Sequence, residues 1–479
     1  MSDEILSVPG LSDDEGRLVN RLAQQLRERR KSNQMRSVLY DDGKVAMRQL
    51  STVIPPQYHK LGLALGWAAK GVDGLNRRCK LDRLVWTDGN LDDLGIRELE
   101  DSNFLYSELA QAQTDSLIHG VSFLITTRGD DGEPSALVHA KDALNATGDW
   151  DGARSRRMKN LLSVTSRDGD RITGFVLYLD NVTVTADREQ GKWVVNRSEH
   201  TWGVPVDPLI YRPRSSKRLG RSRITRAAIS HQKAAVRELI RLEGHMDIYS
   251  MPQLLLLGAA ESIFRNADGS QKASWQVALG RVLGIPDDED ATNPRAEVRN
   301  IEAASPEPHL ADLNALAKLA AREYDLADSD FALTDVANPT SADSYSEARE
   351  SLISEAEDTT DYWSPSVRRT VTRALAIQNG ETGVPEAWRS ITTDYRDPRF
   401  LSRAAVADAG LKQLSAAPWL AETRVGLRLL GLTELQIEEA LQERTKNAGR
   451  ALAASVFAAR SEVVNGDRTR VEGATVATD

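Results

Sequence analysis

The sequence contains a single cysteine, Cys79, among 479 residues. A disulfide framework or a cysteine-based metal site within one chain is therefore excluded, and this sparing use of cysteine fits a reducing compartment. The first ten residues lack the basic and apolar regions of a signal peptide, so we expect none. No run approaches the roughly 20 apolar residues that a membrane-spanning helix needs, so we expect no membrane partner.

Positively charged residues are also fewer than negatively charged ones. The chain has 61 Lys and Arg against 70 Asp and Glu, which leaves a net charge of -9. Proteins that bind DNA tightly without sequence preference carry a basic excess, because their affinity comes from displacing the counterions around phosphates. We therefore expect a chain that does not hold DNA strongly, although DNA can still slide past it.

The usual sequence signatures of catalysis are missing. No Walker A, GxSxG, HExxH, CxxC or GxGxxG motif occurs, and the seven histidines do not stand at the spacing of metal ligands. Four consecutive carboxylates, Asp287, Asp288, Glu289 and Asp290, could hold a divalent cation, but they lack the alternating ligands and central glycine of an EF-hand loop. We interpret them as an exposed acidic loop and expect no enzymatic activity, cofactor or metal.

The clearest pattern in the chain lies between Glu307 and Gly380. Apolar residues recur at helical spacing from Glu307 to Asp325 and predict an amphipathic helix. A polar interruption covers Ala327 to Thr340. Thr340 and Asp343 then match the capping box that begins a second helix.

This second helix is predicted to be long and bent. Ser364-Pro365 lies within it, and proline removes a backbone donor and clashes with the preceding turn, so a kink or a restart is expected there. Gly380 is expected to end the helix in the left-handed conformation that glycine adopts readily.

Before this stretch the chain changes from helical to strand periodicity. A helix is predicted from Ser12 to Ser37, with Ser12 as its cap and a basic run, Arg27 to Lys31, at its far end. That run favours a solvated face, with phosphate contact as the alternative. Further helices are predicted over about 57–80 and 92–119. Period-two patterns then predict strands at 121–127, 136–139, 161–166, 172–179, 182–186 and 193–197. The pattern as a whole indicates an α+β domain with an antiparallel sheet.

A basic loop separates these strands from an alanine-rich helix predicted over 222–249. Arg214, Lys217, Arg218 and Arg221 belong to this loop, which is either a solvated connection or a contact with phosphate or with an acidic neighbouring subunit. Residues 251–304 break the helical pattern before the helix that starts at Glu307. One helix out, a compact excursion and one helix back predict a hairpin with a small domain at its tip.

The C-terminal part is predicted to be helical again. One helix covers Ala404 to Ala416, and Thr433 with Gln436 caps a last helix through about Ala459. From Asn465 the residues are small and polar, and we expect a disordered tail.

Several stretches, taken in order, resemble a known family. They are Gln113-Thr-Asp-Ser-Leu-Ile-His-Gly-Val-Ser-Phe-Leu-Ile125, Leu219-Gly-Arg-Ser-Arg-Ile224, Asn338-Pro-Thr-Ser-Ala-Asp343, Asp397-Pro398, Ala405-Val-Ala-Asp-Ala-Gly-Leu-Lys412 and Leu430-Gly-Leu-Thr-Glu-Leu-Gln436. Their order is similar to that of the portal (head–tail connector) proteins of tailed bacteriophages, in the form found in phages of actinobacteria. The resemblance covers about Ser12 to Ala459.

The resemblance implies a mainly helical α+β portal fold with wing, stem, clip and crown regions. Its boundaries are a disordered N-terminus (1–11), wing (12–219), first stem helix (220–249), clip (250–306), second stem helix (307–325), tunnel loop (326–340), long kinked wing helix (341–380), wing and crown helices (381–464) and disordered tail (465–479). Candidate channel residues are Asp328, Asp330, Thr334, Asp335, Asn338 and Thr340. The four carboxylates at 287–290 become candidate contacts for the motor or adaptor, and the four basic loop residues become contacts for a subunit or for phosphate.

The resemblance also implies partners. Twelve copies are expected to form a ring at one capsid vertex, in contact with the terminase large subunit, the major capsid and scaffolding proteins, the head–tail adaptor and double-stranded DNA. The protein is then expected in the virion, and in the host cytoplasm during assembly. A metal-dependent DNA-processing enzyme using Asp287 to Asp290 and another minor head assembly protein are the alternatives.

Overall fold

The computed structural model describes residues 6–44, 62–151, 157–249, 253–257, 297–301, 304–331, 349–399 and 403–472, with isolated positions between 268 and 292. It is a mixed α and β structure that is 53% helical, which confirms the mainly helical α+β prediction. The chain divides into two compact units, Met1–Pro398 and Arg399–Asp479. Among the described residues, no helix combines the length and apolar character needed to cross a bilayer.

The elements alternate between helical and strand segments. The helices are α1 (Asp13–Asp41), α2 (Trp67–Asn76), α3 (Ile96–Asn103), α4 (Leu105–His119), α5 (Arg226–Tyr249), α6 (Glu307–Glu323), α7 (Glu350–Gln378), α8 (Arg403–Ala416), α9 (Arg424–Leu429) and α10 (Glu434–Glu472). The strands are β1 (Leu81–Trp86), β2 (Val121–Arg128), β3 (Ala136–Asp142), β4 (Ala146–Asp151), β5 (Arg157–Asp168), β6 (Arg171–Leu179), β7 (Val182–Glu189), β8 (Lys192–Glu199), β9 (Val206–Ile210), β10 (Gln253–Leu257), β11 (Glu297–Ile301) and β12 (Ile391–Tyr395).

Helix α1 begins as the sequence predicts. The Ser12 side chain accepts a hydrogen bond from the Glu15 backbone, and the Glu15 carboxylate accepts one from the Ser12 backbone, which completes a capping box. The helix continues to Asp41, so the basic run Arg27 to Lys31 lies in its middle. Our prediction that this run lies at the C-terminal end of the helix is therefore wrong. Its apolar face, which includes Leu22 and Leu26, packs on the five-stranded sheet.

The two larger sheets of the described structure are both antiparallel. One has the order β3-β2-β9 and the other the order β4-β5-β6-β7-β8. Alternate residues of β2 point to opposite faces, so Phe123 packs in the core shared with β5 and β6, whereas Leu124 packs against the helices. The predicted strands are confirmed, but β4 and β9 were not predicted. Val206 to Ile210 contains a proline and Ala146 to Asp151 contains a glycine, and both weaken a strand pattern.

Two predicted helices are wrong in extent. Within the predicted 57–80 helix, the described part is helical only over α2, and residues 62–66 are not helical. The predicted 92–119 helix is divided between a 3₁₀ turn, α3 and α4. Phe104 separates α3 from α4 with a φ of 48°, a left-handed conformation that cannot continue a helix.

Helices α5 and α6 form the expected antiparallel hairpin. The start of α5 lies beside the end of α6, where Thr225 donates to Glu323, and His245 near the far end of α5 lies beside His309 at the start of α6. Antiparallel strands β10 and β11, which we had not predicted, pair where the two helices lead into the excursion. Paired alanines, including Ala235, Ala317 and Ala321, are buried between the helices and allow the close approach that small side chains permit.

Helix α7 runs through Pro365 without restarting. The Ser364 hydroxyl donates to the Thr360 carbonyl at 2.7 Å, beside the proline. The helix ends as predicted at Gly380, whose φ is 72°, with hydrogen bonds from Gly380 to Ile377 and from Glu381 to Ala376. The predicted capping pair Thr340 and Asp343 lies outside the described residues.

We had predicted a helical segment after Gly380, but part of it is a strand. Strand β12 pairs antiparallel with β1, which the sequence also did not predict. Arg83 of β1 and Asp394 of β12 form an ion pair at 2.7 Å across this ladder. The partners are far apart in the chain, so no local pattern marks either strand as one of a pair.

The second unit, Arg399–Asp479, contains α8, α9 and α10. Helix α8 confirms the prediction for 404–416. Thr433 and Gln436 exchange backbone and side-chain hydrogen bonds and confirm the capping box before α10. Helix α10 continues to Glu472, so the disordered tail predicted from Asn465 is wrong as far as that residue.

We predict a pH-dependent gain in stability from Asp115→Asn. Burial, followed by the charges of Asp142 and Asp41, raises the pKa of Asp115 on α4 from 3.8 to about 7. Between these values the unfolded chain has lost a proton that the folded chain retains, so stability falls as the pH rises. At pH 8 the substitution is expected to add about 1 to 3 kcal/mol to the free energy of unfolding, since one pKa unit corresponds to about 1.4 kcal/mol.

Urea unfolding at pH 8 and pH 4 measures this gain, which should be much smaller at pH 4. Asp101→Asn, which changes an exposed aspartate on α3, is the control and should have little effect at either pH. Equal effects of Asp115→Asn at the two pH values would contradict the prediction.

Candidate functional site

A buried network of charged and polar side chains joins the base of the α5–α6 hairpin to α2 and α7. Arg223, 3% exposed, lies just before α5, and its guanidinium is ion-paired with Glu355 of α7, which is 6% exposed. The same guanidinium donates to the carbonyl oxygens of Gly71 at 2.8 Å and Tyr324 at 2.6 Å, and to the Tyr211 hydroxyl at 3.0 Å. One side chain therefore connects α2, α7, the residue after β9 and the end of α6.

Two arginines share one buried carboxylate in this network. Arg212 adds a second ion pair to Glu355 at 2.7 Å, and the Tyr211 hydroxyl donates to the same carboxylate. Burial lowers the pKa of Arg223, but Tyr211 and Glu355 outweigh that effect and raise it, so the guanidinium stays charged. Burial raises the pKa of Tyr211, which keeps its hydroxyl protonated as a donor. The base of the α5–α6 hairpin is thus held by directional bonds as well as by apolar packing.

The two ends of the candidate channel loop are anchored beside this network. Phe331 is buried, with its ring parallel to that of Tyr324 at 6.1 Å and edge-on to that of Trp67 at 5.9 Å. At the other end of the loop, Arg349 is ion-paired with Asp330 at 3.4 Å. The residues that flank the segment 332–348, which lies outside the described residues, are therefore close together.

The structure locates two of the six candidate channel residues. Asp328 is exposed and Asp330 is half-buried in its ion pair. Thr334, Asp335, Asn338 and Thr340 lie outside the described residues. Leu326 and Phe331, which belong to the predicted loop 326–340, both pack against the apolar cluster between α5 and α6.

A second polar contact joins α5 and α6 farther along their hairpin. Glu238 of α5, 5% exposed, accepts from Arg241 at 2.9 Å and lies 2.5 Å from His309 Nδ1 on α6. Burial raises the pKa of Glu238, but the hydrogen bonds from His309 and Arg241 outweigh that effect and lower it. This contact links the middle of α5 to the start of α6.

The basic loop is held against the junction of α4 and β2. Tyr211 donates to Gly120, Arg221 donates to Tyr211, and Arg223 donates to Leu117, all through backbone groups within 3.0 Å. Gly220 has a φ of 69°, and a Cβ there would meet the Tyr211 and Gly120 carbonyls, so the close approach requires glycine. The two stretches that begin the family resemblance, 113–125 and 219–224, therefore pack on each other.

This arrangement brings together two basic segments that are far apart in the sequence. A cavity of about 620 Å³ lies between the middle of α1, the start of β2 and the loop. Its basic residues are Arg29, Arg36, Lys217, Arg218 and Arg221, and its one acidic residue is Glu28. We call it the basic pocket. Arg214 is exposed on the same loop but does not line the pocket.

His119 forms part of the wall of the basic pocket. It is 8% exposed, and its Nδ1 atom has no hydrogen-bond partner among the described residues. Burial, with a smaller contribution from the charge of Arg36, lowers the pKa of His119 to about 4, so the ring is neutral at pH 7. A buried polar atom without a partner is costly unless another group reaches it.

The four carboxylates predicted for the clip lie outside the described residues; they are Asp287, Asp288, Glu289 and Asp290. Among the residues that the structure does describe, no three His, Cys, Asp or Glu side chains cluster in a way that could hold a metal ion.

Sequence reasoning missed the Arg223–Glu355 network and did not combine α1 with the basic loop. Arg223 follows the exposed basic residues of the loop, and sequence composition does not distinguish a buried arginine from a solvated one. Glu355 lies among apolar residues on the inner face of α7, beside Ala356 and near Leu352. A carboxylate on the buried stripe of a helix was the one signal that could have indicated it.

Comparisons with known proteins bear on this arrangement. The model of the phage portal protein family, SPP1 Gp6-like, matches residues 20–444. The "Portal protein" of Mycobacterium phage D29 is 25% identical over 371 residues, covering 76% of this chain and 75% of that protein. The "Portal protein" of Mycobacterium phage L5 is 23% identical over 381 residues, covering 78% and 77%.

Two solved structures are also similar. They are chains from the neck of an empty GTA particle computed with C6 symmetry and from the neck of a native GTA particle computed with C12 symmetry. Their sequence identities are 15% and 13%, each has a TM-score of 0.43, and each match covers 77% of this chain and 90% of the other. The family match spans both larger sheets, the α5–α6 hairpin and α7, and it confirms the resemblance seen in the sequence: the chain belongs to the SPP1 Gp6-like family of phage portal proteins.

Proposed function

We propose that twelve copies of this chain form the ring-shaped channel at one vertex of a phage capsid, through which DNA is packaged and later ejected. The family match over residues 20–444 carries this proposal, because it includes the helical hairpin and the long helix expected to surround a channel. The function lies in the hole between copies, so the chain acts as a structural component without an enzymatic step of its own.

The charge and the stem geometry support a channel. With a net charge of -9, the chain lacks the basic excess that would retain DNA through counterion release. The stem helices are braced at their base by Arg223 and farther out by Glu238, which suits walls that must keep their spacing while DNA moves.

Further partners follow from the same proposal. The clip, with Asp287 to Asp290, is proposed to contact the terminase large subunit during packaging and the head–tail adaptor afterwards. The wing is proposed to contact the major capsid and scaffolding proteins. The protein would then be a virion component, after a stage in the host cytoplasm during assembly.

Electron microscopy of the purified full-length protein in negative stain tests the proposal. We expect rings with a central hole and twelvefold symmetry, and twelve copies per particle in purified virions. Monomers alone at every concentration and ionic strength would overturn the proposal. A different copy number would favour another head protein, and metal-dependent nuclease activity that is lost on alanine substitution of Asp287 to Asp290 would favour an enzyme.

A further inference from the structure

The basic pocket contains cationic side chains that have no anionic partner within the described part of the chain. Arg29, Lys217, Arg218 and Arg221 are exposed, and within the described part of the chain their side chains form no ion pair. Together with Arg36 they surround a cavity with one carboxylate, Glu28. Like charges gathered around a concave surface repel one another, and an anionic group that enters the cavity relieves that repulsion.

A matching acidic feature lies elsewhere on the same chain. The turn between β2 and β3 carries Asp130, Asp131 and Glu133, all exposed, which we call the acidic tip. The Glu133 carboxylate accepts from the Asp130 backbone at 3.0 Å, and this bond keeps the turn compact. The carboxylates of Asp130 and Asp131 have no ion pair in the described structure.

The basic pocket and the acidic tip lie at opposite ends of one strand. Val121 and Phe123, near the start of β2, line the pocket, whereas the tip follows Arg128 at the end of β2. An eight-residue strand rises about 24 Å, so the tip cannot fold back into the pocket of its own chain. In a ring, each copy uses one surface towards one neighbour and a different surface towards the other, and the two must be complementary.

We propose that the basic pocket receives the acidic tip of the adjacent copy of this chain. This inference rests on the ring proposed above and names the side chains that build its subunit contact. The carboxylates of Asp130 and Asp131 pair with Arg218 and Arg221, and the buried ring of His119 lies at the back of the pocket. Complementary charge of this kind also selects which surfaces meet.

DNA is the other polyanion that the pocket could contact. A duplex presents its phosphates on a stiff convex surface, which does not follow a concave cavity between a helix and a loop. A two-stranded turn that has no side chains at Gly129 and Gly132 presents a smaller convex surface to such a cavity. The shape of the pocket therefore favours a protein turn.

Charge reversal tests the contact. The tip variant carries Asp130→Lys and Asp131→Lys, and the pocket variant carries Arg218→Glu and Arg221→Glu. All four residues are exposed, so each variant should keep the thermal unfolding midpoint of the wild type. Ring formation is measured by mass photometry over a concentration series. Each variant alone should need at least about tenfold more protein to form rings, because like charges then face each other.

Mixing the two variants in equal amounts should restore rings. In an alternating ring, each lysine tip faces a glutamate pocket and each aspartate tip faces an arginine pocket. Two controls should assemble like the wild type: Arg214→Glu, on the same loop but outside the pocket, and the pair Glu189→Lys with Glu199→Lys, exposed positions near the ends of the β7–β8 hairpin.

Rings from either variant alone at wild-type concentrations would overturn the inference, as would a mixture that fails to assemble. Loss of DNA binding by the pocket variant with unchanged assembly would also overturn it and would favour phosphate contact. If the wild type forms no rings, the proposed function itself fails, which distinguishes the two failures.

Discussion

Replacing Glu355 by glutamine is expected to lower the free energy of unfolding by about 3 to 5 kcal/mol, the usual cost of leaving one partner of a buried ion pair without its counter-charge. The substitution keeps the shape of the side chain but removes the negative charge that faces Arg223 and Arg212. Arg223 has almost no exposed surface and cannot regain its charge balance from water. Urea unfolding of the purified chain at pH 7 measures the loss.

Glu357→Gln is the matched control. This glutamate lies on the same helix but is exposed, so its change should stay within about 0.5 kcal/mol. Arg223→Lys should also be destabilising, because an ammonium group cannot reach the Gly71, Tyr324 and Glu355 oxygens together as the planar guanidinium does. Equal stability of Glu355→Gln and Glu357→Gln would show that the network does not hold the α5–α6 hairpin to α2 and α7.

Removing residues 332–340 is the second large expected effect, and it separates assembly from DNA handling. We expect the shortened chain, bridged by a short Gly-Ser linker, to form rings in normal yield. Particles built with it should contain DNase-protected DNA only at background level. We expect assembly to survive because the residues that flank the deletion keep their contacts. Phe331 is buried, and Asp330 is ion-paired with Arg349.

Phe331→Ala provides the contrast to that deletion. Its ring is buried between Trp67 and Tyr324, so its loss should cost about 3 to 5 kcal/mol of stability and reduce ring yield. Ring yield is measured by mass photometry and packaged DNA by quantitative PCR after nuclease treatment. Failure of the 332–340 deletion to assemble would mean that the segment belongs to the core and not to the channel.

Local sequence signals predicted the helices well where caps and apolar spacing agree. Ser12 with Glu15, Thr433 with Gln436, and Gly380 all act within one turn of chain, so their effect is visible in the sequence. The helix predicted through Phe104 failed because one residue with a positive φ breaks it without a glycine or proline to mark the break. The β1–β12 pair was missed because each strand depends on a partner far along the chain.

The candidate sites divide in the same way. The order of motifs was enough to identify the family, and the acidic or basic character of each loop could be read directly. The sequence could not show which charges are buried. Arg223 and Arg221 are close neighbours in sequence, yet Arg223 is 3% exposed and Arg221 lies at the surface. The basic pocket was likewise not predictable, because it joins α1 to a loop almost two hundred residues later.

By itself, the sequence determined the family, the mainly helical α+β class and the hairpin of alanine-rich helices, because spacing, caps and composition act over a few residues. Only the tertiary structure decided that Arg223 and Glu355 brace the base of the α5–α6 hairpin, that Phe331 is buried, and that a basic pocket and an acidic tip lie at opposite ends of β2. These features depend on burial and on contacts between distant segments, which exist only once the chain has folded.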